Sequence, residues 1–254
     1  MNFQAQKKLK IYVIGDNCTD IYQYGNVDRI SPEAPVPVFQ KKYELQCAGM
    51  AGNVVTNLHA LGVEVIDSGV IGTTTKTRLI DIRSKQQIVR IDNDIKSVPL
   101  KYEYLNYHKL HDIDAIVVSD YNKGVISYEL LEKLIANCNK PIFIDTKKTD
   151  LARLQGAWVK INELEYSKIT SECTGLIVTK GSEGATILHH DITLPAKRVE
   201  VADVCGAGDT FLAAMAYQYI RSKDIKQSVE FAIKASAVTV QHIGNYAPTP
   251  EEIK

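Results

Sequence analysis

The chain has 254 residues, 45% of them hydrophobic, and its 30 basic and 30 acidic residues cancel to a formal net charge of zero. This length suits one sizeable α/β domain, and the balanced charge without long runs of one sign excludes a nucleic-acid-binding tract or an acidic tail. The five cysteines are odd in number and form no C-x-x-C pair, which argues against a disulfide framework and a zinc cluster.

The first ten residues are polar and lead straight into an apolar run. No later run approaches the ~20 apolar residues that a membrane span needs. We therefore expect a soluble, cytoplasmic protein with reduced thiols and with neither a membrane nor a nucleic acid as partner.

Short runs rich in isoleucine and valine recur along the chain and alternate with helical patterns such as Tyr128–Cys138. Such runs are typical of buried strands in a mainly parallel sheet, so the predicted fold class is α/β. The predicted strands are Ile11–Ile14, Ala115–Val118, Ile142–Ile144, Val159–Ile161 and Leu176–Val178. Polar residues follow each strand, in order Gly15-Asp16, Ser119-Asp120, Asp145, Asn162 and Thr179-Lys180-Gly181. Since ligands of open α/β sheets bind at the carboxyl ends of the strands, we expect these residues to line one rim.

Two segments interrupt this alternation. Tyr22–Gln40 contains three prolines, which predict an edge strand or extended structure. Arg78–Asp92 alternates apolar and polar residues, which predicts a hairpin around Arg83–Gln86. Together they predict a small β-lid, formed by about residues 20–40 and 77–93, on a single domain that spans the chain.

The segment Gly49–Asn53 opens a helix that ends near Leu61. Its small residues would let a polar ligand approach the backbone, and Asn53 offers a donor and an acceptor to a sugar hydroxyl. The alternative is that Asn53 only caps the helix.

The C-terminal third predicts two helices. The first is Gly208–Ile220, and the second is Ile225–His242, with Asp224 as its N-cap and Gly244 after its end.

The segment Asp203–Phe211 joins a glycine turn, a carboxylate and the start of the first of these helices. The small residues Gly206, Ala207 and Gly208 let backbone N–H groups approach an anion, and the helix adds the positive end of its dipole. A carboxylate is a poor phosphate ligand, but Asp209 is well placed to take a proton from an attacking hydroxyl. The segment predicts phosphoryl transfer to an alcohol; the alternative is an ordinary tight turn with a first-turn acidic residue.

With the Asn162-x-x-Glu165 box and Thr179–Gly184 in the same order, these motifs resemble the ribokinase-like (PfkB) carbohydrate kinases over nearly the whole chain. Within that family, five further blocks are similar to the kinase domains of bacterial heptose 7-phosphate kinases. They are Gly15-Asp16, Arg29–Val38, Gln86–Asp92, Ser119–Gly124 and Ile144–Lys147.

The resemblance implies a three-layer α/β/α sandwich that uses ATP to phosphorylate the anomeric hydroxyl of D-glycero-D-manno-heptose 7-phosphate, giving heptose 1,7-bisphosphate. The lid segments alternate apolar residues that have few places to be buried on the main domain, so we separately expect two lids to pair in a homodimer. The chain contains no H-x-G-H nucleotidyl-transfer box, so we expect the kinase alone.

The resemblance further implies a role for individual residues. Asp209 would be the general base, and Gly206, Ala207 and Gly208 would form the anion hole for the γ-phosphate. Residues implied for ATP are Asn162, Glu165, Lys160, Thr179, Gly181, Gly184, Gly244 and Asn245, with Glu165 acting on Mg²⁺ through water. Residues implied for the sugar phosphate are Asp16, Gly49, Asn53, Arg90, Lys123, Arg29 and Asp120. A monovalent cation such as K⁺ is a further candidate cofactor.

Several features leave alternatives open. Arg29 and Lys123 are equally typical of solvated surface cations. Met50 stands where the family has a second glycine, and the chain is abbreviated around Thr73–Thr77 and after Glu165, which permits a kinase for another sugar or nucleoside, or a silent sugar-phosphate binder. The pairs His108 and His111, and His189 and His190, lack a third ligand at metal spacing, so no metal centre is predicted there.

Overall fold

The computed structural model describes residues 8–67, 74–105 and 112–253. The strands of this part of the chain are β1 (Lys10–Gly15), β2 (Asn17–Ile30), β3 (Pro37–Met50), β4 (Glu64–Asp67), β5 (Thr74–Asp81), β6 (Gln87–Asn93), β7 (Ala115–Asp120), β8 (Ile142–Thr146), β9 (Trp158–Asn162), β10 (Leu176–Thr179), β11 (Ala185–Ile187) and β12 (Ile192–Leu194). Its α-helices are α1 (Ala51–Ala60), α2 (Tyr128–Asn137), α3 (Glu163–Tyr166), α4 (Ala207–Ser222) and α5 (Ile225–Thr239).

The larger sheet has eight strands in the order β12-β11-β10-β9-β8-β7-β1-β4. Neighbours from β4 to β10 are parallel, and β11 and β12 are antiparallel. All five predicted strands lie in this sheet. They are buried on both faces, which explains why they are continuous apolar runs without alternation.

Helices cover both faces of the larger sheet. Along β1, Ile11 and Val13 point into an apolar core shared with α1, α4 and α5, whereas Tyr12 and Ile14 point into a second core shared with α2. Successive side chains of a strand point to opposite faces, so one strand supplies both cores. The predicted three-layer α/β/α sandwich is confirmed.

The register of the parallel strands aligns their carboxyl ends. Gly15 pairs with Ser119, Ser119 with Asp145, and Asp145 with Lys160. The polar residues that follow these strands therefore lie along one rim, as the sequence predicts.

The smaller sheet, called the lid here, has four strands in the order β3-β2-β5-β6. The hairpin predicted around residues 83–86 is present, because β5 and β6 are antiparallel neighbours. The prediction for the first lid segment is right for β3, which is an edge strand of this sheet, and wrong for β2, which is an interior strand paired on both sides. Its prolines do not prevent this, because Pro32 and Pro35 lie between the strands and Pro37 begins β3, where no ladder N–H is needed.

The two C-terminal helices lie close to their predicted positions. The Asp224 carboxylate caps α5 by accepting a hydrogen bond of 3.1 Å from the Gln227 backbone N–H. Helix α5 ends at Thr239, before the predicted His242, because residues 241–245 form turns and bends. In the described part of the chain, no helix combines the length and apolar character needed to cross a membrane.

Candidate active site

The site begins at the glycine turn that precedes α4. Gly206 is the N-cap of this 16-residue helix and has a left-handed φ of 73°. A Cβ atom at this position would lie 2.7 Å from Asn53 Nδ2 and 3.0 Å from Asn245 Oδ1. Both the conformation and the close approach require glycine here.

Asp209 lies in the first turn of α4 and is 5% exposed. Its two carboxylate oxygens accept hydrogen bonds of 2.9 Å each, one from Asn53 Nδ2 and one from the Tyr121 hydroxyl. Burial raises the pKa of Asp209 to about 6, against the lowering effect of the hydrogen bond from Asn53. A carboxylate with this pKa is ionised at neutral pH and can accept a proton.

Asn53 lies inside α1, three residues after its N-cap Met50, and its amide faces Asp209. The alternative that Asn53 only caps the helix is therefore wrong. Met50 has φ 55° and ψ −128°, a conformation that glycine adopts far more easily, so the departure from the family's second glycine strains the backbone beside the site.

A buried ion pair lies beside the glycine turn. Lys160 on β9 and Asp145 on β8 are 2.8 Å apart, and both side chains are less than 10% exposed. A Cβ atom at Gly208 would lie 3.0 Å from Lys160 Nζ, so the ammonium group borders the start of α4. Cation, backbone N–H groups and helix dipole together favour negative charge at this position.

A cavity of about 530 Å³ opens from the glycine turn towards α5. The structure brings four of the predicted nucleotide residues together in its wall, along with the turn residues Ala207 and Gly208. These four are Lys160, Thr179, Gly181 and Gly184. Most of the remaining wall is apolar, including Val201, Val204, Phe211, Ile233 and Val240. The start of α4 at Gly206–Gly208, together with Lys160, is called the anion cradle here. An apolar slot that ends at this cradle fits a nucleotide, with its base in the slot and its phosphates at the cradle.

Asn162 and Glu165 meet at α3. The Asn162 side chain accepts the Glu165 backbone N–H, the Glu165 carboxylate accepts the Asn162 N–H, and Lys147 forms an ion pair with Glu165. This capping box explains their spacing in physical terms. Their role towards Mg²⁺ stays a prediction.

The lid contributes a buried ion pair that the sequence analysis missed. Arg78 Nη1 on β5 donates to Asp20 Oδ1 on β2 at 2.6 Å, and Asp20 lies against Gly49, where a Cβ atom would overlap its carboxylate. The signal in the sequence was the two-residue alternation of β2, whose residues Cys18, Asp20 and Tyr22 are all buried.

The structure places Asn245 beside the lid. Its amide donates to Asp20 Oδ2 at 3.2 Å and to the Ala48 carbonyl at 3.3 Å, so it lies with the lid and not in the wall of the nucleotide-sized cavity. The Gly244 backbone N–H donates to Asp203 at 2.9 Å. The turn after α5 folds back towards β2 and β3, and a role for Gly244 and Asn245 beside the adenine stays a prediction.

The structure shows what Asp16 and Asp120 contact within the protein. The buried Asp16 carboxylate accepts backbone N–H bonds from Tyr121, Lys123 and Val125, and burial raises its pKa against these bonds. Asp120 accepts from the Thr146 hydroxyl at 2.6 Å and from the Asn122 backbone, and it pairs with Lys148. These carboxylates hold the rim loops together, and their binding of sugar hydroxyls stays a prediction.

Two of the three cations predicted for the substrate phosphate are paired with aspartates, and the third is exposed. Arg90 pairs with Asp92 through both Nε and Nη2, and Lys123 Nζ pairs with Asp94 at 2.5 Å. Arg29 is exposed near the end of β2, nine residues beyond Asp20 and thus up to roughly 30 Å along an extended strand. Binding of the substrate phosphate by these residues stays a prediction.

Three thiols surround the Asp20–Arg78 pair. Burial raises the pKa of Cys18 to about 12 and also raises the pKa values of Cys47 and Cys205. All five cysteines are free thiols. Within residues 8–67, 74–105 and 112–253 no group of three or more His, Cys, Asp or Glu residues could hold a metal ion, and His108 and His111 lie outside those residues.

The chain is similar in sequence to known bacterial proteins. The bifunctional protein HldE of Helicobacter acinonychis (strain Sheeba) is 33% identical to this chain, over 96% of the chain and 65% of the relative. The bifunctional protein HldE of a Nitratiruptor species is 34% identical, over 97% of the chain and 64% of the relative. The chain thus spans about 65% of the length of the curated relatives that it matches.

Solved structures share the fold. Ribokinase from Thermotoga maritima superposes with a TM-score of 0.74 at 18% identity, covering 96% of this chain and 98% of that chain. Arabidopsis thaliana ribokinase complexed with ribose and ATP superposes with a TM-score of 0.71 at 16% identity, covering 97% of each chain. A family model described as pfkB family carbohydrate kinase matches residues 74–252. The chain therefore belongs to the pfkB family of carbohydrate kinases, which transfer phosphate to an alcohol group.

Proposed function

We propose that this chain is an ATP-dependent kinase that phosphorylates the anomeric hydroxyl of D-glycero-D-manno-heptose 7-phosphate to give heptose 1,7-bisphosphate. The observation that carries the proposal is Asp209, a buried carboxylate at the mouth of an anion cradle and within reach of the lid. The identity of about 33% to HldE proteins over 96% of the chain supports the choice of substrate within the family.

In this mechanism Asp209 takes the proton of the acceptor hydroxyl as the hydroxyl oxygen attacks the γ-phosphorus, and the bond from that phosphorus to the β,γ-bridging oxygen breaks to release ADP. The backbone N–H groups at Gly206–Gly208 and the ammonium of Lys160 stabilise the charge on the transferring group. Asp20, Gly49 and Asn53 lie on the acceptor side, where the lid excludes water from the transfer.

The residues present also fit a bound Mg²⁺–ATP. The cavity wall supplies the apolar slot and the cradle. The side-chain oxygens of Glu165 and Asn162 would accept hydrogen bonds from water molecules bound to Mg²⁺. When bound, Mg²⁺ neutralises charge on the β- and γ-phosphates. A K⁺ requirement belongs to the same proposal and is tested by replacing K⁺ with Na⁺ in the assay.

The substrate assignment predicts a clear preference among acceptors. With ATP and Mg²⁺, heptose 7-phosphate is expected to give a kcat/KM at least tenfold above fructose 6-phosphate, ribose and adenosine, since a site that pairs buried polar groups with a substrate rejects analogues that leave them unpaired. Product formation is followed by ³¹P NMR, which distinguishes an anomeric phosphate from other phosphate esters. Higher turnover of another acceptor would replace the heptose within the same kinase class.

The alternative from another class is a silent sugar-phosphate binder. It predicts that calorimetry detects binding of heptose 7-phosphate and that no acceptor gives a product. The buried ionised carboxylate at the cradle argues against it, because binding alone does not need a proton acceptor.

We also propose a cytoplasmic homodimer that pairs through the lid. Val89 is 44% exposed and Ile91 is 55% exposed, and both lie on β6, facing opposite to Arg90. Exposed apolar alternation on an edge strand is an association surface. Light scattering at micromolar concentration is expected to give twice the monomer mass, and Val89→Glu with Ile91→Glu is expected to give a monomer. A wild-type monomer would contradict the proposal.

A further inference from the structure

Tyr121 directly follows β7 and holds one oxygen of the Asp209 carboxylate. Its hydroxyl donates to Asp209 Oδ1 at 2.9 Å, while Asn53 Nδ2 donates to Asp209 Oδ2 at the same distance. The carboxylate is thus fixed from two sides by residues of two different elements, the loop after β7 and helix α1.

The position of Tyr121 is itself determined by contacts on its backbone and ring. Its backbone N–H donates to Asp16 Oδ2 at 2.8 Å, which ties the start of the loop to the end of β1. Lys76 Nζ on the lid lies 5.6 Å from the centre of its ring, and Lys147 Nζ on the rim lies 5.4 Å from it. Cation–π contacts at these distances hold a ring in place, so Tyr121 connects the lid, the rim and Asp209.

The chemistry of the phenol matches a donor role. Burial, followed by the negative charge of Asp209, raises the pKa of Tyr121 well above its ordinary value, so the hydroxyl keeps its proton at neutral pH. A neutral phenol beside an ionised carboxylate can only donate, which leaves the other lone pairs of Asp209 for the acceptor hydroxyl.

We propose that Tyr121 is a positioning residue for the general base: its hydroxyl orients the Asp209 carboxylate and favours the ionised form that accepts the proton. This inference rests on the proposed function of Asp209 as base. The other groups that act on Asp209 are Asn53 from α1, Asp145 from β8, Lys147 after β8, Lys160 from β9 and Cys18 from the lid.

The test compares Tyr121→Phe with the wild-type chain. Phenylalanine keeps the ring and its two cation contacts but removes the hydrogen bond. A ¹³C NMR titration of the carboxyl carbon measures the pKa of Asp209 in the free protein, and the Asp209→Asn variant identifies its signal. In Tyr121→Phe the pKa of Asp209 is expected to rise by about one unit from about 6. With heptose 7-phosphate and ATP, the acid limb of kcat/KM is expected to move upward by the same amount, and kcat on the plateau is expected to fall about tenfold.

Tyr128→Phe is the matched control. The ring of Tyr128 also contacts two cations, Lys148 and Arg153. Its hydroxyl accepts one hydrogen bond, from the Asp150 backbone N–H, and is remote from Asp209. It is expected to leave the Asp209 titration and the pH profile unchanged.

A second variant keeps the test decisive if the Phe variant unfolds, which circular dichroism would reveal. Site-specific 3-fluorotyrosine at position 121 has nearly the same shape and is a stronger hydrogen-bond donor, so it is expected to lower the pKa of Asp209. An unchanged Asp209 titration in a folded variant would overturn the inference. Retained turnover in Asp209→Asn would instead remove the proposed base, a result that the NMR titration separates from the role of Tyr121.

Discussion

Replacing Asp209 with asparagine is expected to lower kcat by roughly 10²–10⁴-fold, the range typical for loss of a general base. Asparagine has nearly the same shape and keeps one oxygen to accept from Asn53 or Tyr121, so the pocket is preserved while the proton acceptor is lost. The KM for ATP is expected to stay within about twofold, because the side chain is directed at the acceptor side and not into the cavity wall. A coupled assay of ADP release with heptose 7-phosphate measures both constants.

Asp224→Asn is the matched control for this experiment. Asp224 is the N-cap of α5, the helix that follows α4, and asparagine caps a helix about as well as aspartate. Its rate is expected to equal that of the wild-type chain. Comparable rates for Asp209→Asn and the wild-type chain would remove Asp209 as the base.

Replacing Arg78 with methionine is expected to destabilise the lid by about 3–5 kcal/mol. The Arg78 and Asp20 side chains are 10% and 8% exposed, so removing the guanidinium leaves a buried carboxylate without its ionic partner. Hydrogen exchange of the backbone amides of β2 and β5 measures the loss of stability within the lid, and thermal unfolding measures it for the whole chain. Acceptor binding is expected to weaken as well, because Asp20 borders Gly49 and Asn245.

The lid offers a matched control at the paired position on the next strand. Arg90 lies directly opposite Arg78 in the β5–β6 register and also pairs with an aspartate, but its side chain is 50% exposed. Arg90→Met is expected to change stability by no more than about 1 kcal/mol. The double variant Asp20→Leu with Arg78→Met is expected to recover much of the loss, since it removes both buried charges. Equal effects of the two single arginine variants would contradict the burial argument.

Local patterns in the sequence predicted much of the fold. The continuous apolar runs identified five strands, and the small residues before Phe211 identified the glycine turn at the start of α4. The error in the lid came from giving prolines more weight than alternation. Pro32 and Pro35 lie in the connection that follows β2, and the two-residue period of β2 was the better guide.

Residue roles were harder to predict than elements. The family resemblance implies a substrate role for Asp16 and Asp120, and in the structure both carboxylates bond to the rim loops. Position at the carboxyl end of a strand brings a residue to the rim. Its hydrogen-bond partners, which come from other loops, determine whether its side chain is free to bind a ligand.

The sequence by itself determined which segments become strands and helices, where the backbone must turn tightly, and that Asp209 lies in the first turn of α4, because these features depend on neighbouring residues. Only the tertiary structure decided that Tyr121 bonds to Asp209, 88 residues away, and that Arg78 neutralises Asp20, 58 residues away. Those partners meet because separate strands and helices pack together, and spacing along the chain carries no direct record of such contacts.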